Sequence, residues 1–269
     1  MSRIATFFRE RERVKENLNE IKRDGQDAFE KYDPLCRYYA DCLAKEPVEK
    51  IVMYESEKNE GRFLALNALF EAFQQREDFK SYKHIWVLHK RSHYLLMRKK
   101  YDEYENVEIR RVIDEVSTTY YKLLARAEYL FQGGNFPYPF TKRTGQFFLA
   151  VRDVQKTKPI VFEEGGDYYQ AANHIRNVLM ADAVLVPNES DYRRLREAYR
   201  LEGIFEGKVL VADAGSQARE ILETVLDQKQ SVRTESDFHT EKKRVLIYGA
   251  GMSVNGVTES LLALLHGID

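Results

Sequence analysis

The chain has 269 residues, 43% of them hydrophobic and 32% charged, enough to bury one full core and leaving room for two domains. Its 42 Lys and Arg offset 43 Asp and Glu, so net charge selects no nucleic-acid partner and any polyanion surface has to be local. Cys36 and Cys42 have no His or Cys at zinc spacing and read as ordinary thiols. No signal-peptide core and no run of 18 apolar residues occurs, which points to a cytoplasmic protein that spans no membrane.

In chain order, the segment 1–46 opens with Ile4, Phe7, Val14, Leu18 and Ile21 at helical spacing, an amphipathic helix. Its other face mixes Arg9, Arg13, Lys15, Lys22 and Arg23 with glutamates. Packing on the domain or on a sister chain is favoured over peripheral contact with an anionic membrane, because the acids dilute attraction to lipid. Both readings stay open.

Beyond Pro47 the pattern alternates. Ile51–Tyr54 reads as a strand, Phe63, Leu66, Phe70 and Phe73 as a buried helical stripe, Ile85–Leu88 as a second strand and Val107–Ile109 as a weaker one. Thr118–Ala127 reads as a helix, Gln146–Val151 as a strand and Ala171–Met180 as a helix. Strand Ala183–Val186, a helix after Pro187, strand Lys208–Val211 and helix Ser216–Leu226 complete the series. The expected fold over 47–227 is α/β, a Rossmann-like parallel sheet flanked by helices.

Residues 228–242 lose apolar periodicity and read as a linker. Strand Arg244–Tyr248, a glycine-rich turn and an apolar helix over Val257–His266 follow, too little to bury a core, so 243–269 reads as the opening of a second, truncated domain. In a dinucleotide fingerprint the third glycine would stand at Val254; it stands at Gly256, so that motif fails. Gly249, Gly251, Asn255 and Gly256 still form a candidate phosphate or nucleotide loop at a helix start, against the alternative of a plain tight turn. The turn resembles the opening of GT-B glycosyltransferases.

A longer resemblance covers about Ile51 to Leu226. Tyr54-Glu55-Ser56, Gly61, Asn67–Glu71 and Trp86-Val87-Leu88 are followed in register by Tyr120-Tyr121, Ala125–Tyr129, Asn135-Phe136-Pro137 and Lys142–Gln146. Arg176-Asn177, Ala181-Asp182, Ala198-Tyr199, Gly203 and Phe205–Lys208 continue it. Together they resemble the first half of the CDP-glycerol glycerophosphotransferases that build teichoic acids, a GT-B family. The resemblance implies an acceptor-side half-domain for a glycerol-phosphate or lipid-linked acceptor. A CDP-glycerol or nucleotide-sugar donor would be held by a separate downstream domain; no cofactor is implied.

The departures fall where the chemistry belongs. After the strand that Gly145-Gln146 introduces, the family carries Trp-His-Gly-Thr-Pro, whose histidine is the general base; this chain reads Val151-Arg152-Asp153-Val154-Gln155-Lys156, with Asp153 in the histidine's place. A carboxylate with an ordinary pKa near ~3.9 is a poor base at neutral pH, and an approaching arginine lowers it further. The family's Gly-Tyr-Pro-Arg turn is replaced by Val211–Ser216. The expectation is a domain inactive alone, with a non-catalytic scaffold or polymer-binding domain as the alternative.

None of the six histidines has a carboxylate at pairing distance in sequence. His89 and His93, four apart, lack a third metal ligand; with Lys90, Arg91, Arg98, Lys99 and Lys100 they read as a basic surface. Glu163-Glu164 before Gly165-Gly166 reads as a solvated turn. The loop residues Asn135, Tyr138, Lys142 and Arg143 are the candidate acceptor contacts, against simple loop packing.

Overall fold

The computed structural model describes residues 33–57, 59–111, 118–152, 168–199 and 201–238 and the single residues Glu16 and Glu30, with nothing said of the side chains of 168–171 and 231–238. The helix expected over Ile4–Ile21, Asp153, the pair Glu163-Glu164 with Gly165-Gly166, and the loop of Gly249, Gly251, Asn255 and Gly256 lie outside these residues. The chain divides into two compact units, Met1–Ser231 and Val232–Asp269.

Seven strands form one sheet: β1 (Glu49–Ser56), β2 (Lys83–Leu88), β3 (Val107–Arg111), β4 (Ala127–Gln132), β5 (Phe147–Val151), β6 (Ala183–Val186) and β7 (Lys208–Val211). Their order is β3-β2-β1-β4-β5-β6-β7 and every pairing is parallel. Among the described residues, seven α-helices accompany them: α1 (33–45), α2 (Glu60–Gln74), α3 (Arg91–Tyr101), α4 (Thr118–Arg126), α5 (Tyr168–Met180), α6 (Glu189–Tyr199) and α7 (Ala214–Phe238). The expected Rossmann-like parallel sheet is present.

The central strands are largely apolar because both faces are covered. Ile51, Met53, Ile85, Val87, Leu130, Phe148, Ala150 and Val184 pack with Tyr39, Tyr121, Leu124, Val178 and Leu195. Their neighbours Val52, Tyr54, Trp86, Leu88, Phe131, Phe147, Leu149 and Leu185 point the other way, onto Phe63, Leu66, Phe70, Phe73, Met97 and Leu222. The period of two along each strand thus splits one sequence run between two cores. Most of the aromatic load is structural: Tyr54 stacks on Trp86 at 4.9 Å and meets Phe70 edge-on at 5.4 Å.

Two elements differ from expectation. β4 follows α4 with no turn residue between Arg126 and Ala127, and its six residues Ala-Glu-Tyr-Leu-Phe-Gln are all buried. Its polar members, Glu128 and Gln132, hide it from an apolar-run reading, yet each has a partner. Glu128 accepts from the Tyr82 hydroxyl at 2.9 Å and faces Lys229 Nζ at 3.8 Å, while Gln132 Oε1 accepts from the Gly134 N–H at 2.6 Å.

The second difference is the expected linker 228–242, since α7 runs on as helix through Phe238. Gln228 Nε2 donates to the Asp182 carbonyl at 2.7 Å, and Lys229, 3% exposed, reaches the Gly145 carbonyl and lies 5.3 Å from the Tyr129 ring centre. Polar side chains here anchor the helix to the amino edge of the sheet, so apolar periodicity cannot reveal it.

Candidate functional site

In a parallel sheet the loops that can hold a ligand gather at the carboxyl ends of the strands, above all where the strand order reverses. Here that point lies between β1 and β4, which pair although more than 70 residues separate them in sequence. Glu55, Ser56 and Glu57 close β1; Gln132, Gly133, Gly134 and Asn135 close β4.

The two glycines let neighbouring elements close in. The Gly133 N–H donates to the Glu55 carbonyl at 2.8 Å, and a Cβ on Gly133 would stand 3.1 Å from Arg62 Cβ. The Glu57 carboxylate lies over Gly134 and accepts from the Asn135 N–H at 3.1 Å.

Two arginines converge on this turn. Arg62 comes from the first turn of α2, which starts at Asn59 because the Asn59 Oδ1 accepts from the Arg62 N–H at 3.0 Å. Its Nη1 donates to the Gly133 carbonyl at 3.2 Å. Arg152 comes from the end of β5, 5% exposed; it donates to the Gln132 carbonyl at 3.5 Å, the Val151 carbonyl at 3.2 Å and Asn135 Oδ1 at 3.4 Å. Burial, with the Arg62 charge as the second cause, pulls the Arg152 pKa down to about 10. His174 on α5 is lowered by burial and by Arg152, and burial raises the Tyr199 hydroxyl on α6 despite both arginines.

Arg62 and Arg152 both line a cleft of about 350 Å³ that runs between α2 and the start of α7. Leu64, Ala65, Val151, Leu185, Pro187, Ala212 and Ala214 make its walls largely apolar. Asp213, at its edge, caps α7: its carboxylate accepts from the Gly215 N–H at 3.0 Å and the Ser216 hydroxyl at 3.2 Å. The segment Val211–Ser216 is therefore a helix cap bordering the cleft.

Two of the histidines do find carboxylates, from distant parts of the chain. His89 Nε2 lies 2.8 Å from Glu55 Oε1, and the Tyr120 hydroxyl donates to Glu55 Oε2 at 2.7 Å. His93 Nε2 lies 2.8 Å from Glu60 Oε2, which Lys90 also meets at 2.8 Å; these bonds hold Glu60 down to about 2. His89 precedes α3 while His93 is buried in it, stacked on Phe63 at 3.9 Å. No group of His, Cys, Asp and Glu among the described residues could hold a metal ion.

The four candidate acceptor contacts do not form one patch. Asn135 belongs to the arginine cluster. Tyr138 is half-exposed farther along the loop, with the Arg176 guanidinium 5.1 Å from its ring centre. Lys142 and Arg143 sit at the opposite, amino edge just before β5. Lys142 is ion-paired with the buried Asp182, and Arg143 Nη1 donates to the Leu43 and Glu46 carbonyls at 2.9 and 2.6 Å, closing the end of α1. Their charges are engaged in holding the fold. Sequence reasoning passed over Arg62, Glu57, Gly133-Gly134 and the role of Arg152; the one local signal was the glycine pair directly after an apolar stretch.

No described helix is long and apolar enough to cross a membrane. No curated protein sequence matches the chain. Among solved structures, two crystals of the wall teichoic acid polymerase TagF resemble it. One does so at 13% identity and a TM-score of 0.45 over 87% of this chain and 55% of that chain; the other at 14% and 0.46 over 96% and 62%. The chain thus spans little more than half the length of these TagF chains. The model of the CDP-glycerol:poly(glycerophosphate) glycerophosphotransferases matches residues 39–248, most of the chain. With its seven-stranded parallel sheet inside the matched segment, this chain is a member of the CDP-glycerol:poly(glycerophosphate) glycerophosphotransferase family.

Proposed function

We propose that the chain supplies the acceptor-side half of a glycerophosphate-transfer site in the synthesis of a teichoic-acid-type glycerol-phosphate polymer. The observation that carries this reading is the cleft at the carboxyl edge with two buried arginines beside it, in a chain of this family. A glycerol-phosphate acceptor carries a negative charge on each repeat and uncharged carbons between, and the cleft offers cations beside apolar walls. A second GT-B half facing this edge would hold CDP-glycerol. An acceptor hydroxyl then attacks the β-phosphate, CMP leaves, and the hydroxyl proton passes to a base, with positioning and charge stabilisation supplying most of the acceleration. Contact with the inner face of a membrane belongs to the same reading. It is supported by the exposed Leu95 and Leu96 beside Arg98 and Lys99 on α3.

A non-catalytic, polymer-binding role is the second reading, favoured by Asp153 standing where the family's motif places its histidine. Incubating the full chain with CDP-glycerol and a glycerophosphate-primed acceptor separates the two. CMP release that disappears in Asp153→Ala supports transfer with that carboxylate as base. Acceptor binding without CMP release supports the polymer-binding role.

A further inference from the structure

The two histidine–carboxylate pairs differ in which partner is buried. In His93–Glu60 the imidazole is 3% exposed and the carboxylate 58%; in His89–Glu55 the imidazole is 25% exposed and the carboxylate 3%. The first is a core ring, stacked on Phe63, that ties down a surface carboxylate. The second is a buried carboxylate that orients a partly exposed imidazole, the arrangement by which proton-transfer sites fix a base.

Glu55 is itself held in place. The Tyr120 hydroxyl on α4 donates to its Oε2 at 2.7 Å, and its main-chain carbonyl accepts from the Gly133 N–H at 2.8 Å. His89 extends the ladder between β1 and β2 by one residue, its N–H donating to the Ser56 carbonyl at 3.2 Å. Both ends of the 2.8 Å contact between His89 Nε2 and Glu55 Oε1 are therefore anchored. A carboxylate accepts, so Nε2 carries the ring proton and Nδ1 the lone pair. The pair stands at the ends of β1 and β2, on the edge where a parallel sheet gathers its ligand-binding loops.

We infer that His89 is the general base of the transfer, with Glu55 as its positioning residue and Tyr120 holding Glu55. The inference deepens the acceptor reading and rests on it: the histidine missing after β5 is replaced by one at the end of β2. As the acceptor hydroxyl oxygen bonds to the β-phosphorus of CDP-glycerol, its proton passes to His89 Nδ1. The bond from that phosphorus to the bridging oxygen breaks, and CMP leaves with the electron pair. Glu55 stabilises the imidazolium so formed, which then gives its proton to solvent.

CMP release by the full chain, followed with CDP-glycerol and a glycerophosphate-primed acceptor, tests this. In His89→Gly kcat should fall by about 100-fold or more with KM for the acceptor unchanged, the usual worth of a general base. Added imidazole should restore the lost rate, which a free ring could not do for a residue that only packed. Glu55→Gln should lower kcat in the same direction, again without raising KM. Nitrogen NMR of the wild-type chain, which needs no variant to fold, should find the His89 proton on Nε2. A proton on Nδ1, or a loss in His89→Gly that imidazole leaves unrepaired, overturns the assignment. CMP release that persists in His89→Gly also overturns it and leaves the transfer reading standing, with its base elsewhere. No CMP release by the wild-type chain overturns the transfer reading, and the base assignment falls with it.

Discussion

The Glu57 carboxylate occupies the space a side chain on Gly134 would need: a Cβ there would come 2.2 Å from Glu57 Cδ. Gly134→Ala therefore has to swing the flexible end of Glu57 away and strip the Asn135 N–H of its partner. Because a side-chain tip moves and backbone does not, the expected cost is about 1 kcal/mol, the net worth of one hydrogen bond. A fall of a few degrees in Tm, roughly 2–4 °C for a domain of this size, would register it.

Arg152 stabilises little by its three long bonds while keeping a charge out of water. Arg152→Met should leave the ligand-free chain as stable as wild type or up to about 2 kcal/mol more stable, as replacement of buried charge by apolar volume often does. Urea unfolding midpoints would show it; a marked loss of stability would mean that the guanidinium is a structural brace.

His84 at the start of β2 is fully buried, its Nδ1 3.1 Å from the Tyr54 hydroxyl, and burial holds its pKa down to about 4 from an ordinary 6.5. The folded state keeps the ring neutral, so between these values the unfolded chain binds the extra proton and stability rises with pH. That stability is complete above pH ~6.5 and lost on descending to pH ~4, in all about 3 kcal/mol. Unfolding free energy followed across this window should be flatter in His84→Gln.

At the amino edge, Lys229 is 3% exposed and Glu128, 3.8 Å away, is nearly as buried. Lys229→Ala should destabilise by on the order of 3 kcal/mol, because it leaves a buried carboxylate without its cation. A chain cut after Asp227 should lose as much, which thermal unfolding of the two variants would compare.

Arg143 closes α1 by donating to the Leu43 and Glu46 carbonyls. Arg143→Ala should cost about 1–2 kcal/mol, the worth of two such bonds, and loosen α1. Faster amide exchange in residues 33–45, with glycerol 3-phosphate affinity unchanged, would separate this role from acceptor contact.

The sequence by itself determined the strands β1, β2, β5, β6 and β7, the aromatic stripe of α2, the parallel class of the sheet and the family register. All of these follow from local apolar patterning or from short motifs, and burial on both faces makes such patterning plain. β4 and the last turns of α7 escaped it, because Glu128 and Lys229 are buried polar groups that face each other across about 100 positions, and Gln132 and Gln228 bond to backbone. The candidate site was legible only in Asn135 and in the lost histidine motif. Tertiary structure alone decided that Arg62 and Arg152, 90 positions apart, meet at the end of β4, that Glu55 meets His89, and that Lys142 and Arg143 face the other edge. Strand order sets those distances, and pairing β1 with β4 is a property of the whole sheet that no stretch of sequence expresses.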